Sequence, residues 1–82
     1  MLTTRQYLKT LDRAQLRKLF EQCDLTETER WLLFYAFVEK RLRENTCDKL
    51  SLSSRQYHYL LNIALCKVEI KIKELDKIRY FH

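Results

Sequence analysis

Three features of the sequence point to an all-α fold. Glycine and proline are both absent. A sheet protein turns its corners with those residues or with Asn-Gly pairs, whereas helices can be joined without them. Thr3 with Gln6, Asp12 with Gln15, Thr26 with Glu29 and Ser53 with Gln56 each fit a capping box, a short polar residue followed three positions later by Gln or Glu. Between these pairs the apolar residues recur at three- and four-residue spacing, the period of a helix face. The 82 residues leave no room for a second core, so one domain is expected. With 46% apolar and 12% aromatic residues the chain has enough apolar surface to fold. The architecture is therefore a small helical bundle of about five helices.

The elements follow in order. The first helix, about residues 4–10, buries Tyr7, Leu8 and Leu11. The second, about 13–22, carries Leu16, Leu19, Phe20 and Cys23 on one face and Arg13, Arg17, Lys18 and Glu21 on the other. The third starts at Thr26 and runs to about Lys40. Its Leu32, Leu33, Tyr35 and Phe37 face the centre, while Trp31, Phe34 and Val38 form a second stripe. Leu16, Leu19 and Phe20 are expected to cover that stripe. Otherwise Trp31 and Phe34 form an exposed patch, the mark of a protein interface. The fourth helix spans about 44–50.

The fifth helix starts after Ser53 and continues to about Arg79, some 26 residues or roughly 40 Å at ~1.5 Å per residue. Along it Leu61, Leu65, Val68, Ile72 and Leu75 alternate at four and three, a coiled-coil seam, with Ile63, Ile70 and Ile78 off it. A helix apolar on two sides calls for two neighbours. The N-terminal helices are one and a second copy of the protein is the other. Val68, Ile72 and Leu75 are thus candidate interface residues and the protein a candidate homodimer.

Residues 46–68 carry the organising pattern. Small Cys47, apolar Leu50, a short turn, apolar Leu52, Ser53 and an amphipathic run with Tyr57 and Leu61 on one face outline a helix-turn-helix. Residues 25–68 resemble the DNA-binding helix-turn-helix at the C-terminal end of bacterial sigma factors and their small phage relatives. Leu25-Thr26-Glu27-Thr28-Glu29 stands where that family opens with Leu-Thr-x-x-Glu. Leu32, Leu33, Tyr35 and Phe37 match its apolar helix, and Lys40-Arg41-Leu42-Arg43 its polar link. Thr46-Cys47-Asp48-Lys49-Leu50-Ser51-Leu52-Ser53 replaces Ile-Ala-x-x-Leu-Gly-Ile-Ser. Gln56 to Val68 takes the place of the recognition helix. The match covers about half the chain. It departs at Thr46-Cys47 and at Ser51, where the family has glycine; a left-handed residue with a Cβ there costs about 1 kcal/mol. On this view residues 1–24 are a helical cover, 25–68 the core and 69–82 an extension of the last helix.

The resemblance implies that the helix after Ser53 lies in the major groove of double-stranded DNA with its first turns at the base edges. Ser54, Arg55, His58, Tyr59 and Asn62 fall on its outward side. An Arg55 guanidinium suits guanine and an Asn62 amide suits adenine. Ser53 and Ser54 suit a phosphate, and Lys40, Arg41, Arg43 and Lys49 the backbone. The function implied is transcription regulation, with no catalytic role, cofactor or small-molecule substrate. The alternative is a protein-interaction module or phage-type inhibitor that keeps the fold and binds a host protein such as RNA polymerase.

Bulk composition bounds this reading. Sixteen basic against eleven acidic side chains give a net charge of +5, which favours a polyanionic partner. Cys23, Cys47 and Cys66 are spaced 24 and 19 apart, without a Cys-x-x-Cys or nearby His pair, so no zinc site is expected. They are expected to be reduced, buried or half-buried thiols in a cytoplasmic protein. His58 has no carboxylate or Cys at ligand spacing. The longest apolar run, Trp31 to Val38, is eight residues, too short to cross a membrane.

Overall fold

A computed structural model describes the backbone of residues 3–80 and the side chains of residues 3–75. Among them are five helices and no strand: α1 (Thr4–Lys9), α2 (Arg13–Gln22), α3 (Glu27–Leu33), α4 (Arg43–Leu50) and α5 (Ser54–Tyr80). All four capping boxes form. Thr3, Asp12, Thr26 and Ser53 each accept from the backbone N–H three residues on, and each gets a side-chain acceptor back for its own N–H. Each such cap is worth about 1 kcal/mol. They start four of the five helices where the sequence says they start.

The ends are less regular, because no glycine is available to take a left-handed cap. The run after α3 continues to Val38 rather than Lys40, as one π turn over Phe34–Val38. There Glu39 N–H reaches back five residues to Phe34 O at 3.0 Å, and Arg41 N–H reaches six to Tyr35 O at 2.8 Å. The turn widens until the chain swings out through Lys40, which is left-handed at φ 54. The end of α4 is handled the same way. Ser51 is left-handed (φ 55, ψ 46), and Leu52 N–H bonds Cys47 O at 2.9 Å across the helix end. That is the outer hydrogen bond of a Schellman motif, and its apolar members, Leu52 and Cys47, both pack against the core.

The core is one cluster with members from α1 (Leu8), α2 (Leu16, Leu19, Phe20), α3 (Leu32, Leu33) and α5 (Tyr57, Leu61, Ala64, Leu65, Val68). α3 lies along α5, and α1 and α2 close over them. At ~1.5 Å per residue the 27 residues of α5 make about 40 Å. It therefore sets the long axis of a molecule measuring 44 × 23 × 21 Å.

This arrangement corrects several expectations. The Leu61–Leu75 seam faces the chain's own core. Val68 is 0% exposed, so it has no surface to give a second copy, and Ile72 and Leu75 pack partly buried on the same cluster. Outside the seam, Ile63 is half-buried and Ile70 is 59% exposed. Ile78 lies outside the described side chains. Tyr7 is exposed rather than buried, because a six-residue helix needs only Leu8 beneath it. Cys23 is buried and Cys47 half-buried, but Cys66 is exposed on the outer side of α5.

One polar contact crosses the core. Glu29, 2% exposed, is the third residue of α3 and completes the Thr26 capping box. Its Oε1 accepts from Thr26 N–H at 2.9 Å and from the Lys67 ammonium of α5 at 2.8 Å. Its Oε2 is buried without a protein partner among the described residues. Burial pushes this carboxyl up, but Lys67 and the Thr26 N–H and hydroxyl outweigh it and hold it below its ordinary range. A group whose folded pKa is depressed stabilises above its unfolded value and loses that contribution as pH falls through the folded one. Glu29→Gln, which keeps the cap acceptor but not the charge, should therefore cost ~1–2 kcal/mol at neutral pH and almost nothing well below pH ~4. Urea unfolding at the two pH values checks this, and a cost independent of pH contradicts it. Lys67→Met should cost more than Glu29→Gln at neutral pH, since it leaves a buried carboxylate unpaired.

The two left-handed residues give a second expectation. Ser51→Gly and Lys40→Gly remove a Cβ that crowds the backbone, and after the added freedom of the unfolded chain each should gain ~0.5–1 kcal/mol. That is a rise in Tm of about 2–8 °C for a domain of this size. A thermal melt that does not move would show that neither position is strained.

Candidate nucleic-acid interface

α4 and α5 are joined by three residues, Ser51, Leu52 and Ser53. Left-handed Ser51 turns the chain, Leu52 drops towards the core, and Ser53 caps α5. Tyr57, Leu61 and Ala64 bury one side of α5, with Leu60 half-buried beside them. The opposite side carries Arg55, His58, Tyr59 and Asn62, all exposed, Tyr59 at 65%. Their spacing of three, one and three puts them on one strip of the helix surface. Ser54 stands exposed at the head of that strip. The Ser53 hydroxyl oxygen accepts from Gln56 N–H at 3.1 Å, which leaves its hydroxyl hydrogen to donate to a phosphate.

The basic residues do not all gather. Arg43 Nη1 lies 3.2 Å from His58 Nε2. Guanidinium only donates, so that ring nitrogen is the acceptor. His58 also sits edge-to-face on Tyr57, with centroids 5.5 Å apart. The pair ties the start of α4 to the second turn of α5. Arg41 is held otherwise, in an ion pair with Glu39 and with its guanidinium 5.1 Å from the Tyr35 ring centre. Lys40 is exposed at the left-handed turn and Lys49 on the last turn of α4.

Two basic residues join this side that the sequence reading assigned only to a covering helix. Arg5 lines a cleft with Arg43, Tyr57 and His58, and an adjoining cleft with Lys9, Lys40 and Arg41. Burial pushes the Tyr57 phenol up, and the Arg5 and Arg43 charges pull against it. The available signal was their spacing. Arg5 and Lys9 are four apart, hence on one face of α1. The polar strip of α5 thus meets Arg5 and Arg43 at His58, with Glu44 in the same cleft, and Lys9 and Lys40 lie one cleft further on.

The second aromatic stripe of α3 is only partly covered. Phe34 is half-buried and the Arg17 guanidinium lies 5.8 Å from its ring centre, but Trp31 remains 43% exposed. The N-terminal helices therefore cover Phe34 and leave Trp31 to solvent.

Among the described residues no three His, Cys, Asp or Glu side chains gather where a metal ion would sit. No described helix is long and apolar enough to cross a membrane. No family model, no curated protein and no solved structure matches the chain.

Proposed function

We propose that the chain is a cytoplasmic transcription regulator that binds double-stranded DNA, laying the first turns of α5 in the major groove. The observation that carries this reading is the exposed strip Arg55–His58–Tyr59–Asn62 directly after a three-residue turn with a left-handed Ser51, flanked by cations from α1 and α4. A helix with its side chains is about 10–12 Å across, and the major groove is ~12 Å wide. Arg55 and Asn62 read base edges in this assignment. Arg5, Lys9, Lys40, Arg43 and Lys49 face phosphates, and the net charge of +5 draws the chain to the duplex. A regulator of this kind needs no catalytic group or cofactor. A DNA-bound homodimer would have to pair through a surface other than the buried Leu61–Leu75 seam.

Selection of bound sites from a random duplex library tests the reading. An enriched motif is expected, and a palindrome in it would also report a dimer. Arg55→Ala and Asn62→Ala should each relax the preference at one position by ~1–3 kcal/mol. Arg5→Ala and Arg43→Ala should weaken binding to all sequences alike and lower the salt slope by roughly 0.9 each. Absence of duplex binding at about 50 mM salt would end the DNA reading.

A second reading, a module that binds a host protein such as RNA polymerase, is favoured by the exposure of Trp31.

A further inference from the structure

The surface around Trp31 is a shaped cleft with a charge of its own. It lies between α2 and α3, is about 230 Å³ in volume, and is lined by Arg17, Phe20, Glu21, Arg30, Trp31 and Phe34. Phe20, buried in the core, forms the floor, and half-buried Phe34 forms a wall. Trp31 stands at the rim, but it is not free to turn. Its ring stacks on Tyr35 (5.5 Å, 24°) and meets Phe34 edge-on (5.8 Å, 89°). Arg41 covers Tyr35 in turn. The π turn begins at Phe34, within the same ring cluster. A large aromatic held in one orientation before binding loses little freedom on binding, which is the property of an interface anchor.

The size and charge select the occupant. Cofactor- and drug-sized sites run from about 300 Å³ upwards, so this cleft takes less than such a molecule and suits one large apolar side chain. The rim sets Arg17 and Arg30 against Glu21 alone, and Arg13 and Lys18 are exposed on the same helix as Arg17. That rim calls for carboxylates on either side of the anchor. A nucleic acid is disfavoured, because stacking a base needs an open ring face. Trp31 already has Tyr35 stacked on one face, and Glu21 repels phosphate. A second copy is disfavoured by the chain's net charge of +5.

We propose that this cleft docks an acidic peptide segment of a partner protein. One Leu or Phe of that segment sits against Phe20, Trp31 and Phe34, and its flanking carboxylates pair with Arg17 and Arg30. The assignment uses none of the residues placed on DNA, so either can fail without the other.

Trp31 is the chain's sole tryptophan, and its emission therefore reports the cleft directly. Tryptophan-free synthetic peptides rich in Asp and Glu, with one central Leu or Phe, are titrated into the full chain. A saturable change in Trp31 emission with a Kd below about 1 mM is expected. Replacing the central residue by Ala, or all the carboxylates by Lys, should weaken binding about tenfold or more. Arg17→Glu with Arg30→Glu should abolish binding of the acidic peptide and gain binding of the Lys version. Both positions are exposed, and an unchanged circular-dichroism melt confirms that the variant is folded. The proposal is overturned by any of four results. These are no saturable change, equal binding of acidic and Lys peptides, tighter quenching by a single-stranded oligonucleotide, or an emission shift that follows protein concentration alone.

Discussion

The carboxylate of Glu29 is the contact on which the arrangement turns. Two jobs fall on one oxygen. It closes the capping box that starts α3, and it receives the Lys67 ammonium that holds α3 against α5. A carboxylate buried to 2% exposure persists only with such partners. Here the start of a helix helps as well, since its N–H dipoles favour negative charge. Lys67 keeps part of its surface in water. Most of the desolvation therefore falls on Glu29, and the pair contributes orientation more than net stability. The buried stripe of Tyr57, Leu61, Ala64 and Val68 decides which side of α5 points outward, and hence that Arg55, His58, Tyr59 and Asn62 do. The ion pair adds to that packing one directional contact between α3 and α5.

A second constraint is compositional. A chain without glycine must still reverse direction at the ends of α3 and α4, and it does so with Lys40 and Ser51 in the left-handed region. Each carries a strain of about 1 kcal/mol, offset by the backbone bonds that close over the helix ends and by burial of Leu52 and Cys47. The π turn over Phe34–Val38 belongs to the same problem. After α3 the chain stops by widening, where α4 stops on a left-handed serine.

Local features were the legible ones. A capping box is a contact between residues three apart, so Thr3, Asp12, Thr26 and Ser53 could be read as starts from the sequence. The inward stripe of α5 was legible for the same reason. What joins distant segments was not. Nothing in the sequence ties Glu29 to Lys67, 38 residues on, and nothing brings Arg5 beside Arg43. The seam from Leu61 to Leu75 was read correctly as apolar, but periodicity does not say whether the neighbour is the chain itself or a copy of it. In the fold it is the chain itself, with Val68 fully enclosed. Tyr7 departs from its expected burial because α1 is too short for its pattern to distinguish one buried face from its neighbours. For the site, the outer strip of α5 could be read, while its basic flank from α1 could not.

The N-terminal helices then mean more than a cover. They supply Leu8, Leu16, Leu19 and Phe20 to the core, and both pack upon α5. The same packing makes two surfaces. α1 carries Arg5 to the side of Arg43 and His58, and Lys9 to the side of Lys40 and Arg41. α2 carries Arg17 and Phe20 to Trp31 and Phe34. The Trp31 cleft shares no lining residue with the two adjoining basic clefts, and one core built by α1, α2, α3 and α5 supports all three. The result is a basic, polar strip on one side and an aromatic notch rimmed by arginine on another. α5 serves that geometry by giving α1, α2 and α3 a common platform, with α1 lying at its first turns beside Tyr57 and Leu61.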